Sequence, residues 1–218
     1  MNDRAALEKF LKQRLLRPLP GAPAHWRMAP QPARGGWEPD KPPATARHAA
    51  ALILIYPKDD RLWIPLTVRH ADLPHHPGQV SLPGGRVDAG EAPADAAMRE
   101  AHEEIGVDAA RVRVAGALSP LWVIVSNFVV YPFVAVADER PAFRAAAREV
   151  EEILEVPLDD LRDRARLKWT RRTRGTEAVH YPYFDVAGRE VWGATAMMLG
   201  ELMSLFADDF GPDPPPAW

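Results

Sequence analysis

The sequence predicts an α/β fold with helices packed around a mixed sheet. Apolar runs of strand length recur along the chain, the clearest being AALILIY at 50–56. Helical spacing governs other stretches, above all 93–105, where Ala94, Ala97, Met98, Ala101 and Ile105 form one apolar stripe. Strands and helices therefore mix along one chain, which suits layers packed on a shared core.

Taken in order, residues 3–17 place Ala6, Leu7, Phe10, Leu11 and Leu15 on one helical face, and Arg14 and Arg17 near its end favour the dipole. Residues 18–45 are rich in Pro, Gly and Ala, carry Trp26 and Trp37, and read as an extended arm with little regular structure. Strands follow at 47–56 and 62–69, joined by a turn over 57–61 that makes them antiparallel. A short strand at 79–82 leads into Gly84 and Gly85. The 93–105 helix has Pro93 in its first turn and Gly106 at its C-terminal stop.

Beyond it, strands are expected at 112–118 and 123–137, the second interrupted by Pro132. Residues 150–156 fit a strand or a short helix, and 157–164 a helix opened by Pro157. The run KWTRRTR at 168–174 reads as a basic solvated loop. A strand at 178–186 and a helix from about 193 to 207 complete the domain, and GPDPPPAW at 211–218 reads as a flexible tail. The division expected is an N-terminal helix and arm at 1–45, one domain at 46–210, and the tail.

Composition limits the function. The 218 residues suffice for one substantial core. Without cysteine there is no disulfide, thiolate metal site or Cys nucleophile. A net charge of -3 argues against binding nucleic acid through a basic surface. With no membrane-length apolar run and no signal-peptide core, the expectation is a cytoplasmic protein without a membrane partner.

The stretch LPGGRVDAGEAPADAAMREAHEEIGV at 82–107 carries the chemistry. Glu100, Glu103 and Glu104 stand at i, i+3 and i+4 and share one helix face. By itself such a face can be merely solvated, but several carboxylates aimed at one point are also what a hard divalent cation requires. The stretch resembles the Nudix box, G-x5-E-x7-R-E-U-x-E-E-x-G-U with U bulky and apolar. Gly85, Glu91, Arg99, Glu100, Glu103, Glu104, Gly106 and Val107 fall in register, with Ala101 smaller than usual.

The resemblance implies an α/β/α sandwich on a mixed sheet and a hydrolase of nucleoside diphosphate derivatives that uses magnesium or manganese. It further implies Glu100, Glu103 and Glu104 as metal ligands together with the Gly84 carbonyl. Glu91 and Arg99 would pair and brace the loop on the helix, next to Gly85. The general base would be a box glutamate, Glu103 or Glu104, or one from elsewhere, and Glu149 in EVEEILEVPL is the preferred outside candidate.

Upstream, LTVRHADLPHHPGQVSLPGG at 66–85 resembles the coenzyme A pyrophosphatase motif LLTxR(S/A)x3Rx3Gx3FPGG. Leu66, Thr67, Arg69, Gly78, Pro83, Gly84 and Gly85 match. His70 replaces the small residue, Pro74 the second arginine and Leu82 the phenylalanine. SNFVVYP at 126–132 and VWGATAMML at 191–199 are similar to the same subfamily. The substrate implied is coenzyme A or a thioester, bound through Arg69 and His76. Loss of the arginine at Pro74 leaves ADP-ribose or another nucleoside diphosphate derivative as an alternative, and a non-catalytic nucleotide-binding module as a third. Oligomeric state is left open.

Overall fold

The computed structural model describes residues 4–73 and 77–214. Helix α1 (Arg4–Arg14) and a short α2 (Gly21–Arg27) precede strands β1 (Arg47–Lys58), β2 (Arg61–Arg69), β3 (Val80–Ser81) and β4 (Gly84–Arg86). Helix α3 (Pro93–Ile105) follows, then β5 (Val112–Ala117), β6 (Leu121–Val123), β7 (Phe128–Ala137) and β8 (Val150–Pro157). Helix α4 (Leu158–Arg162), strands β9 (Leu167–Arg174), β10 (Glu177–Val186) and β11 (Arg189–Trp192), and α5 (Gly193–Ser204) complete the chain.

Strands β3-β2-β1-β7-β5 lie side by side in the main sheet, with β4, β6 and β8 pairing β1, β7 and β2. The sheet is mixed: β1 runs parallel to β7 and antiparallel to β2. Asp59 and Asp60 turn the β1–β2 hairpin with φ of 50° and 57°, the left-handed pair that matches strand twist. A second sheet, β11-β10-β9, stands apart.

Strand β1 is buried on both faces, and its alternation sorts the core into two layers. Ala50, Leu52, Leu54 and Tyr56 pack with Ala96, Ala97, Ala101 and Ile105 of α3. Ala51, Ile53 and Ile55 pack on the other face with Leu7 and Leu11 of α1 and Leu199 and Leu202 of α5. Three alanines on α3 let its backbone approach the sheet closely, which brings its carboxylate edge to β4. Gly106 ends the helix at φ 74°, its N–H donating to the His102 carbonyl. No helix of the described residues is long and apolar enough to cross a membrane.

Four expectations are corrected. The 18–45 segment contains α2, and Met28, Ala29 and Trp37 are buried in the core; apolar side chains outweighed its Pro-rich composition. Residues 123–137 are broken at 124–127, where Asn127 adopts φ 53°, not at Pro132, which stays inside β7. Asparagine tolerates that conformation better than most residues. KWTRRTR lies in strand β9, not a loop, paired with β10 from Leu167↔Phe184 to Arg174↔Glu177. It is an edge strand, where charge is the usual protection against stray pairing, so its hydrophobic signal is weak. The tail expected at 211–218 is held at its start: Gly211 is buried and the Asp213 carbonyl accepts from Trp169 Nε1 at 2.8 Å.

One buried polar cluster ties the N-terminal segment to α5. Glu201 is 0% exposed and accepts from Gly21 N at 2.9 Å and Ser119 N at 3.2 Å, and bonds His25 Nε2 at 3.0 Å. Substituting Glu201→Ala strands these groups without water, and each costs about 1–3 kcal/mol. Urea unfolding should show a loss of about 3 kcal/mol or more; an unchanged midpoint would show the cluster to be dispensable.

Candidate active site

The site begins where the glycines lie down on β1. Gly84, Gly85 and Arg86 pair with Ala51, Ala50 and Ala49. A Cβ on Gly84 would stand 2.3 Å from the Ala50 carbonyl oxygen, so only glycine permits this approach. A Cβ on Gly85 would stand 2.5 Å from the Glu100 carboxylate. The second glycine thus leaves the space into which Glu100 points. Replacing Gly85→Ala should displace Glu100 and reduce turnover tenfold or more, and retained activity would deny that this space matters.

Arg99 holds the loop to the helix. Its Nε and Nη2 donate to the two oxygens of Glu91 at 2.8 and 3.0 Å, and Nη2 also reaches the Arg86 carbonyl at 3.0 Å. Nη1 donates to Glu100 at 2.9 Å and to Glu103 at 3.0 Å. Glu91 closes the loop by accepting from Asp88 N at 3.0 Å. The Arg99 guanidinium holds the Glu91 carboxyl below the usual range, and Glu91 in turn holds Arg99 firmly protonated. The 99/103 link follows the i, i+4 rule; the full reach of Arg99 was not evident from sequence.

Glu104 lies deepest, 5% exposed, its Oε2 accepting from Gly84 N at 3.1 Å. Burial pushes its carboxyl up to about 7 against the pull of that N–H, and the charges of Glu100 and Glu149 add to the rise. Burial raises Glu100 as well, against the pull of Arg99. Glu149 is exposed, at the end of a turn whose Ala146 N donates to the Glu104 carbonyl at 2.9 Å.

Arg69, the last residue of β2, sits at a register shift opposite β8. Its Nε is buried and has no hydrogen-bond partner, and its charge favours ionised Glu104. A buried guanidinium N–H left unpaired beside a carboxylate suits an anion.

Glu100, Glu104 and Glu149 are thus brought within electrostatic reach of one another behind Gly84 and Gly85, with Arg69 in reach of Glu104. Glu103 is exposed and bonded to Arg99. Pro74, His75 and His76 lie outside the described residues. Among the described residues no three acidic or histidine side chains form a ready-made metal cluster. The donor chemistry nevertheless fits a hard dication: carboxylate oxygens, with burial holding Glu100 and Glu104 above the usual range despite Arg99 and Arg69 nearby.

Fold and site together define a class: a layered α/β protein with an acidic helix edge behind a glycine loop. The chain belongs to the Nudix domain family, whose model matches residues 46–179. It is similar to the protein named Uncharacterized Nudix hydrolase NudL of Yersinia enterocolitica, 33% identical over 162 residues covering 73% of this chain and 81% of that one. It is similar also to Nudix hydrolase 3 of Caenorhabditis elegans, 33% identical over 177 residues covering 73% of each chain. Among solved structures, RenU, a Nudix hydrolase from M. smegmatis, shares the fold with a TM-score of 0.50 at 21% identity, covering 76% of this chain and 89% of that one. The chain is therefore a Nudix hydrolase, in a family that generally uses magnesium or manganese.

Proposed function

We propose that this hydrolase splits the diphosphate of coenzyme A or its thioesters, giving 3′,5′-ADP and 4′-phosphopantetheine or its acyl form. The observation that carries the reading is Arg69. The upstream motif at 66–85 contains it, and in the fold its unpaired buried Nε stands beside Glu104. A guanidinium there can hold a substrate phosphate against the acidic edge.

Glu100, Glu103, Glu104 and the Gly84 carbonyl are the proposed metal ligands. Magnesium or manganese, when bound, would neutralise phosphate charge and make a coordinated water more acidic. Arg99 keeps Glu100 and Glu103 aimed along the helix edge and fixes the loop that carries Gly85. Glu149, exposed and close enough to raise Glu100 and Glu104, is the proposed base that accepts the proton of the attacking water. His76 is retained as a proposed second phosphate contact. The substrate is a small nucleotide, with no nucleic acid or membrane partner.

The test is incubation of purified protein with coenzyme A and magnesium or manganese, with the products separated. Release of 3′,5′-ADP supports the reading, and its absence at every metal concentration removes this substrate. Pro74, in place of the second motif arginine, favours one alternative, a substrate without the 3′-phosphate such as ADP-ribose. Faster turnover of ADP-ribose than of coenzyme A in a common assay would establish that alternative.

A further inference from the structure

Part of the second sheet stands beside the loop that leads to the glycines. Between them lies a cleft of ≈ 290 Å³, lined by Gly78 and Gln79 on one side and Arg172, Arg189, Glu190 and Trp192 on the other. The main-chain hydrogen bonds fix its position relative to the site. Arg69 N donates to the Gln79 carbonyl and Gly78 N to the Arg69 carbonyl, both at 3.0 Å. One side of the cleft is therefore the main-chain partner of Arg69, whose charge acts on Glu104. Gly84 lies five positions beyond Gln79, a reach of at most about 17 Å in extended chain.

The lining is suited to an anion. The Arg172 guanidinium lies 4.5 Å from the Trp192 ring centre, so its plane and charge are held by an aromatic face. Arg172 pairs with Glu190 at 2.6 Å, and Arg189 pairs with Glu152 at 2.8 Å. Both pairs are about 40–46% exposed, the kind of ion pair that contributes little to stability. A phosphate dianion offers each arginine a stronger, bidentate partner than the solvated carboxylate it displaces. The two arginines come from different strands, β9 and β11, so the cleft has a positive group on either side of the third strand.

We propose that this cleft is the subsite for a phosphate monoester on the nucleoside part of the substrate, with Arg172 and Arg189 as its ligands and Trp192 as the support of Arg172. The assignment rests on the reading of the chain as a hydrolase of a 3′-phosphorylated nucleotide, and it places the specificity for that phosphate outside the Nudix box. It also gives the basic run at 168–174 a role, in the strand that replaces the expected loop.

The experiment compares coenzyme A with 3′-dephospho-coenzyme A in the parent and in Arg172→Gln and Arg189→Gln. Each substitution is at an exposed edge, and melting curves check the fold. The parent should prefer the phosphorylated substrate at least tenfold in kcat/KM, through KM. Each variant should bring that ratio to within about threefold of one, and Arg172→Lys should recover part of it. A parent without preference, or variants that keep the preference, overturn the subsite. If the parent does not hydrolyse coenzyme A at all, the proposed substrate fails, and the subsite is read by calorimetry with 3′,5′-ADP and 5′-AMP. Tighter binding of 3′,5′-ADP that is lost in Arg172→Gln upholds the subsite, and equal binding of the two nucleotides overturns it.

Discussion

Glu104→Gln is expected to lower kcat on the order of 10³-fold while making the metal-free protein more stable at alkaline pH. The two effects share one cause. Glu104 is buried, and Glu100 and Glu149 add negative charge around it, so its ionised form is disfavoured until about pH 7. In the unfolded chain it ionises near the ordinary glutamate value of 4.5. Between those values the folded state holds more protons than the unfolded one, so unfolding free energy falls as pH rises. The full penalty, about 3 kcal/mol, is present above pH 7 and absent below about 4.5.

Glutamine removes that penalty and keeps an oxygen to accept from Gly84 N. The parent should therefore lose stability between pH 5 and 8 in chelator, relative to the variant. Magnesium should then raise the parent's melting temperature at pH 8 and do so less in the variant, because binding stabilises only a state that can hold the ion. Thermal melts at both pH values, with and without magnesium, check this. Parent and variant curves that run parallel across that pH range would deny that Glu104 carries uncompensated charge. Activity retained in the variant would deny its role in hydrolysis, and binding without any parent hydrolysis would favour a sensing module.

Much of this site was legible before the fold was known, and for a physical reason. The helix stripe, the acidic face and the glycine stop at Gly106 are local, so spacing alone carries them. Glycine at 84 and 85 is likewise a local signature, although its reason is not: the Ala50 carbonyl and the Glu100 carboxylate that exclude a Cβ come from distant segments. What spacing could not show was depth. Nothing in the order of residues distinguishes Glu104, nearly buried, from Glu103, exposed and held by Arg99. Composition misled in two places. The Pro-rich segment hides Met28 and Trp37, which are core residues, and the basic run at 168–174 hides an edge strand. In both, tertiary packing settled what local preference could not.

Arg99→Ala should reduce kcat/KM by about 10–100-fold, the usual cost of losing a group that orients metal ligands, the role proposed for Glu100 and Glu103. Removal frees one oxygen each of Glu91, Glu100 and Glu103, leaves the other Glu91 oxygen with Asp88 N alone, and releases the Arg86 carbonyl. Repulsion among the acids then has no local counter-charge, so Glu100 should become still harder to ionise. The loop over 86–92 should loosen as well, because Glu91 loses its anchor on the helix. Arg99→Lys retains the charge but not the planar fork, and a single ammonium cannot span Glu91, Glu100, Glu103 and the carbonyl together. It should therefore recover only part of the activity. Hydrogen exchange at 86–92, read beside kcat/KM and the magnesium dependence of rate, separates the two effects. Faster exchange with weaker magnesium dependence is expected in both variants, more so for alanine. If Arg99→Lys matched the parent in rate and in exchange, the bidentate brace would be unnecessary and charge alone would explain the residue.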